Sequence, residues 1–127
     1  MVESIRAARE AAKKAIENTY DGIAVVTEHR KVKDKRSKLT NYEDIIVLED
    51  IPCKLSFKTI HTANQGESSV SVSQTTKLFL SPDIVIKAGS KITVTQSGVT
   101  MDYTYSGVPA VYDTHQEIEL QLFERWT

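Results

Sequence analysis

Two hydrophobic periods run along this chain. Near the N-terminus Ile5, Ala8, Ala12 and Ile16 recur every three or four residues, the spacing of one helical face. Ala7, Ala8, Ala11, Ala12 and Ala15 are strong helix formers, and no Gly or Pro interrupts them. Arg6, Arg9, Glu10, Lys13, Lys14 and Glu17 cover the remaining faces. The apolar stripe is mostly alanine, so the predicted helix (residues 1–19) buries little against its own domain. Its small side chains would let a neighbouring subunit approach closely. Asp21-Gly22 is the predicted stop, since glycine suits a helix C-terminus.

From Ile23 the period changes to two. "IAVVTEHRKV" and "YEDIIVLEDI" are β-rich and flank the most charged run of the chain, "HRKVKDKRSKLT". That order predicts a long β-hairpin with a charged tip. In "PCKLSFKTI" Cys53, Leu55 and Phe57 alternate with Lys54, Ser56 and Lys58, as in a strand with one buried face. "HTANQGESSVS" is polar and aperiodic, with Asn64, Gly66 and two serines, and reads as a mobile loop. "VSVSQTTKLFLS" is again a strand, and Ser81-Pro82-Asp83 a turn. "IVIKAGSKITVTQSGVTMDYTYSG" reads as short strands broken at Ala88-Gly89 and Ser97-Gly98, the second break as a tight hairpin. In "THQEIELQLFERW" Ile118, Leu120 and Leu122 are predicted inward, with Glu117, Glu119 and Gln121 outward.

The expected fold is therefore mainly β: a small antiparallel barrel or sandwich of about six to eight strands, with one N-terminal helix, an extended hairpin and an extended loop. The 127 residues suit one domain, with residues 20–127 forming the β part.

Charge sharpens this picture. Between Arg30 and Lys38 stand six basic residues and one acid, a net of five positive charges. The whole chain has a formal net charge of -1, which leaves a net of six negative charges on the rest. The expected molecule is a basic spot on a mildly acidic body. The single cysteine, Cys53, cannot form an internal disulfide, which fits a reducing compartment. No apolar run is long enough to span a membrane, and "MVESIRAAREAAKKAIENTY" lacks the apolar core of a signal peptide. Synthesis in the cytoplasm is expected.

Candidate chemistry is sparse. His29, His61 and His115 lie in three segments, without the i, i+4 spacing of a helical metal site, so no metal or cofactor is expected. Cys53 alternates with Leu55 and Phe57 on the predicted buried face and reads as a structural thiol. The serines near Ser68-Ser69 have no Gly-x-Ser-x-Gly elbow, and the five glycines form no phosphate loop. Glu117 and Glu119 read as a solvated strand face. An enzyme is not expected. The basic residues Arg30, Lys31, Lys33, Lys35, Arg36 and Lys38 could meet phosphates electrostatically. Yet the aromatics of single-strand binders are missing from the run, Tyr42 being the nearest, and a charged tip also keeps a hairpin from pairing with strangers.

The alanine-rich helix, "TYDGIAVV", "IPCKLSFKTI", "KLFLSPDIVIKAGSKITVTQSG" and "YSGVPAVYDTHQEIELQLFERW", in that order, resemble the small head–tail connector proteins of long-tailed bacteriophages and Gram-positive prophages, the head-closure or stopper proteins often filed as minor capsid proteins. The resemblance spans nearly the whole chain and is carried most by "PCKLSF", "IKAGSKITV" and "YDTHQEIELQL"; an adaptor or tail-terminating role in the same neck stays open. It implies a non-enzymatic virion protein forming a ring, on the order of six or twelve copies. The ring would sit below the portal and adaptor, dock the tail, and surround packaged double-stranded DNA without reading its sequence. It also implies a channel or gating loop, placed at Thr59, Ile60, His61, Thr62, Ala63, Asn64, Gln65, Gly66, Glu67, Ser68, Ser69, Val70 and Ser71. The basic tip would then be an arm toward a neighbouring subunit or ring. The loop carries Glu67 and His61 but no Lys or Arg, as would suit a lumen surface that does not stick to DNA.

Overall fold

A computed structural model describes residues 2–63, 70–105 and 107–126. Helix α1 (Val2–Glu17) leads into strands β1 (Gly22–Lys33), β2 (Thr40–Ala63), β3 (Val70–Leu80), β4 (Lys91–Gln96), β5 (Val99–Thr104), β6 (Ala110–Val111) and β7 (Gln116–Leu122). All pairings are antiparallel. The sheet order is β3-β2-β1-β4-β5-β7-β6, and β3 also pairs with β7. The hydrogen bonding thus closes into a ring, with β6 appended to β7. The expected mainly-β antiparallel fold with one helix is what forms.

Alternation explains the core. Leu78 stands between its cross-strand neighbours Leu55 and Ile118; Ile92 stands between Val26 and Tyr103; Val94 neighbours Ala24. All are buried. One end of this interior is sealed by Gln116, whose Nε2 donates to the carbonyls of Ser81 (2.7 Å) and Ile84 (2.6 Å). A buried amide is tolerated there because its donor satisfies turn carbonyls that lack strand partners.

Several expectations are corrected. Gly22 does not stop the helix. The helix ends at Glu17, where the hydroxyl of Thr19 donates to the Ile16 carbonyl at 2.6 Å. Gly22 opens β1 instead, and a Cβ there would stand 3.0 Å from both the Cys53 carbonyl and Gln96 Oε1. Residues 84–87 are not strand, although Ile86 still enters the core. Phe57 and Leu122, expected inward, are 53% and 59% exposed. They keep the inward phase, but Phe57 lies beyond the start of β1, and Leu122, opposite Tyr103 of β5, lies beyond the last β3–β7 pair at Leu120. β1 starts opposite Cys53, so β2 beyond that point has no strand on that side. The Gln96 side chain substitutes for it: Leu55 N donates to Gln96 Oε1 at 2.8 Å, and Gln96 Nε2 donates back to the Leu55 carbonyl at 3.4 Å.

The predicted tight hairpin at Ser97-Gly98 forms with φ of 53° and 78°, the two left-handed residues of a type I′ turn. Gly98→Ala places a Cβ in open space, so only backbone strain acts. A loss of about 1–2 kcal/mol is expected, read as a lower urea midpoint with an unchanged slope.

Candidate interaction surface

Two ribbons extend from the closed sheet, and β2 contributes to both. Its N-terminal part pairs with β1, and its C-terminal part with β3, changing partners at Cys53. The first ribbon carries the basic run. Arg30, Lys31 and Lys33 stand on β1 opposite Glu43, Tyr42 and Thr40. Lys35, Arg36 and Lys38 lie in the turn. Asp34 organises that turn: its carboxylate accepts from the Arg36 amide at 2.9 Å and the Ser37 hydroxyl at 3.1 Å. Those bonds, the Arg36 amide first, hold its carboxyl below the usual range. All six cations are exposed. Arg30 pairs with Glu28 at 2.9 Å, and the other five make no ion pair among the described residues. Hairpin and charged tip are therefore as the pattern predicts.

The second ribbon corrects the loop. Residues 59–63 and 70–71 are paired strand, with Thr59 opposite Gln74, His61 opposite Val72 and Ala63 opposite Val70. Thr59, Ile60, Thr62 and Val70 are β-branched, and cross-strand pairing overrides the polar, aperiodic look of the segment. Residues 64–69 lie outside the described residues, so of the candidate channel loop only its two flanks are placed.

At the root of the basic ribbon the fold builds something that sequence reading missed. His29 is stacked between Tyr42 (centroids 4.9 Å apart, 7° between planes) and Trp126 (4.9 Å, 12°). Phe123 meets Trp126 edge-on at 4.8 Å, and Lys91 Nζ lies over both rings at 5.4 and 5.7 Å. His29 Nδ1 is 2.8 Å from Asp44 Oδ1. The hydrogen bond from His29, with smaller contributions from Trp126 and the Lys91 charge, lowers the Asp44 pKa. The stack pins the C-terminal segment to the ribbon. Beside it opens a cleft of about 530 Å³, lined by Glu28, Arg30, Lys31, Lys87, Ala88, Gly89 and Ser90 with the three rings. The available signal was the pair of aromatics in "LFERW", three residues apart but at the far end of the chain from His29.

The histidines do not converge. His29 belongs to the stack, His61 stands exposed on the second ribbon, and His115 lies between Tyr112 and Phe79 with Glu117 at 3.7 Å. Among the described residues no group of His, Cys, Asp and Glu could hold a metal ion. Cys53 is fully buried, and burial, with a smaller push from the Asp21 charge, raises its thiol to about 12. The native thiol is expected to resist a thiol-specific reagent at pH 8, reacting only at the rate of global opening. A raised thiol value also means that stability is intact below about pH 8.5, where unfolded cysteine titrates, and falls as pH climbs from there toward 12.

Helix α1 contributes no buried residue. It is tethered through Arg9 to Asp113 at 3.3 Å and through Lys13 to Asp83. Its alanine-rich face is exposed. No helix among the described residues is long and apolar enough to cross a membrane.

Fold and surface together define a mainly-β protein: a ring-closed antiparallel sheet with two ribbons and a loosely attached helix. No protein-family model matches the chain, and no curated protein matches it. Among solved structures it is similar to protein xkdH of the phage-like element PBSX of Bacillus subtilis, with a TM-score of 0.46 and 12% sequence identity over 79% of this chain and 91% of that one.

Proposed function

We propose that this chain is a structural protein of the phage virion: a head-closure subunit of the head–tail connector that assembles as a ring, holds packaged DNA without reading its sequence, and docks the tail. The observation that carries the reading is the pair of ribbons. A closed sheet that buries its own core has no need of two long, exposed hairpins, and both fit contacts with other molecules. The exposed alanine face of α1 is a third such surface, and the family resemblance of the sequence points the same way. The activity is assembly; no group of side chains described above is arranged for bond-making, and the protein is read as a non-enzyme without a cofactor. An adaptor or tail-terminator role in the same neck is the alternative within this reading. A second reading, a nucleic-acid-binding module, is favoured by the exposed Tyr42 ring beside the basic strand, although His29 and Trp126 already occupy much of the stack.

The test is native mass spectrometry and negative-stain microscopy of the purified chain, alone and with portal–adaptor complexes, beside DNA retardation across salt. Rings, with little retention of free DNA, are the expected result. Tight DNA binding by a monomer, falling steeply with salt as counterions are released, would replace the connector reading with the binding module.

A further inference from the structure

We propose that the cleft at the root of the basic ribbon seats an acidic corner, Glu49-Asp50, of a second copy of this chain. The inference rests on the ring reading and names the surface through which one subunit grips the next. The cleft sets Arg30, Lys31 and Lys87 against Glu28 alone, a net of two positive charges. Glu28 is already engaged by Arg30 and lies 3.9 Å from Lys87, whose side chain is 74% exposed. Tyr42 and Trp126 form the wall. Tyr, Trp and Arg are the residues that most often anchor interfaces, and rings already held in a stack lose little freedom when a partner arrives.

The counterpart lies on the same molecule. Glu49 and Asp50 are consecutive, exposed, and make no ion pair among the described residues. Asp50 is left-handed, with φ of 51°, where the β1–β2 register slips between Ala24 and Val26. That slip leaves Glu49 and Asp50 without cross-strand partners and bends the strand. An acid at an exposed, left-handed bend that makes no ion pair among the described residues lacks a counter-charge, and a cationic cleft on a neighbour supplies one. Cleft and corner are different patches, so a subunit's cleft can take one neighbour's corner while its own corner enters the next, a head-to-tail contact of the kind that builds rings when the rotation closes.

The test compares three variants with the wild-type chain by native mass spectrometry and size-exclusion chromatography, on protein whose melting temperature shows it folded. Arg30→Glu with Lys87→Glu reverses the cleft. Glu49→Lys with Asp50→Asn reverses the corner and keeps a residue that tolerates the left-handed backbone. Each is expected to raise the concentration for half-assembly about tenfold or more. Mixed together, the two should form rings again, in which sound and charge-reversed contacts alternate. The chain carrying all four changes should regain rings. Rings undiminished in both reversed chains would overturn the cleft–corner contact and leave the ring reading standing. A wild-type chain that stays monomeric alone and with portal–adaptor complexes would overturn both. Salt-sensitive DNA retention abolished by the cleft reversal would assign the cleft to phosphates instead.

Discussion

Leu78→Ala is expected to cost about 2–5 kcal/mol, enough to leave a domain of ordinary stability partly unfolded at 37 °C. Leu78 is fully buried and lies between Leu55 of β2 and Ile118 of β7. The β3–β7 pairing is the one that closes the sheet, so this side chain fills the interior where the two ends of the sheet meet. Removing it takes away transfer free energy and leaves a cavity that hydrogen-bonded walls on both sides prevent from collapsing. The measurement is the urea midpoint and slope by circular dichroism. Leu78→Met, which conserves volume, should cost less than about 1.5 kcal/mol. A loss below about 1 kcal/mol for the alanine variant would mean that the sheet is not closed at this seam.

The second large effect is on assembly and leaves the fold alone. Reversing Lys33, Lys35 and Arg36 to Glu takes the run from five net positive charges to one net negative charge. The three side chains are exposed and unpaired among the described residues, so each substitution should move stability by no more than about 0.5 kcal/mol. Ring formation should fail at concentrations where the wild type assembles, because the ribbon then repels the acidic body it is proposed to meet. The wild-type assembly should itself weaken with salt, as the screening length shrinks from about 8 Å at physiological ionic strength to about 3 Å at 1 M. A normal melting curve with lost rings is the expected pair of results. Unfolding of the triple variant would show that the ribbon is part of the core, and unchanged rings would show that its charge plays no part in assembly.

Much of this architecture is legible in the sequence because it is local. The helix is written in alanines at helical spacing, the basic hairpin in two β-rich stretches around a charged turn, and the tight turn in Ser97-Gly98, which needs two left-handed residues. What was missed depends on who pairs with whom. Thr59–Ala63 looks like a loop until β3 lies beside it. Phe57 and Leu122 have the right phase for a core and miss it because each lacks a strand on one side: β1 starts short of Phe57, and β3 pairs with β7 only as far as Leu120. The cluster of Tyr42, His29, Trp126 and Phe123 joins the first hairpin to the C-terminal segment some eighty residues on, and no local pattern announces a stack built from both. Gly22 carries the ambiguity of every glycine near a helix end; only the closeness of Cys53 and Gln96 reveals that it serves packing.

The continuity of β2 has a mechanical consequence. Its 24 residues make one backbone of about 75 Å contour that begins in the basic ribbon, runs through the closed wall and ends in the other ribbon. A pull on one ribbon is therefore delivered to the other along one strand, through the bend at Glu49-Asp50. At Cys53 β2 exchanges β1 for β3, so the strand is held by one ladder of hydrogen bonds on each side of that residue. In the connector reading proposed above, such a strut would link the contacts that each subunit makes through its two ribbons.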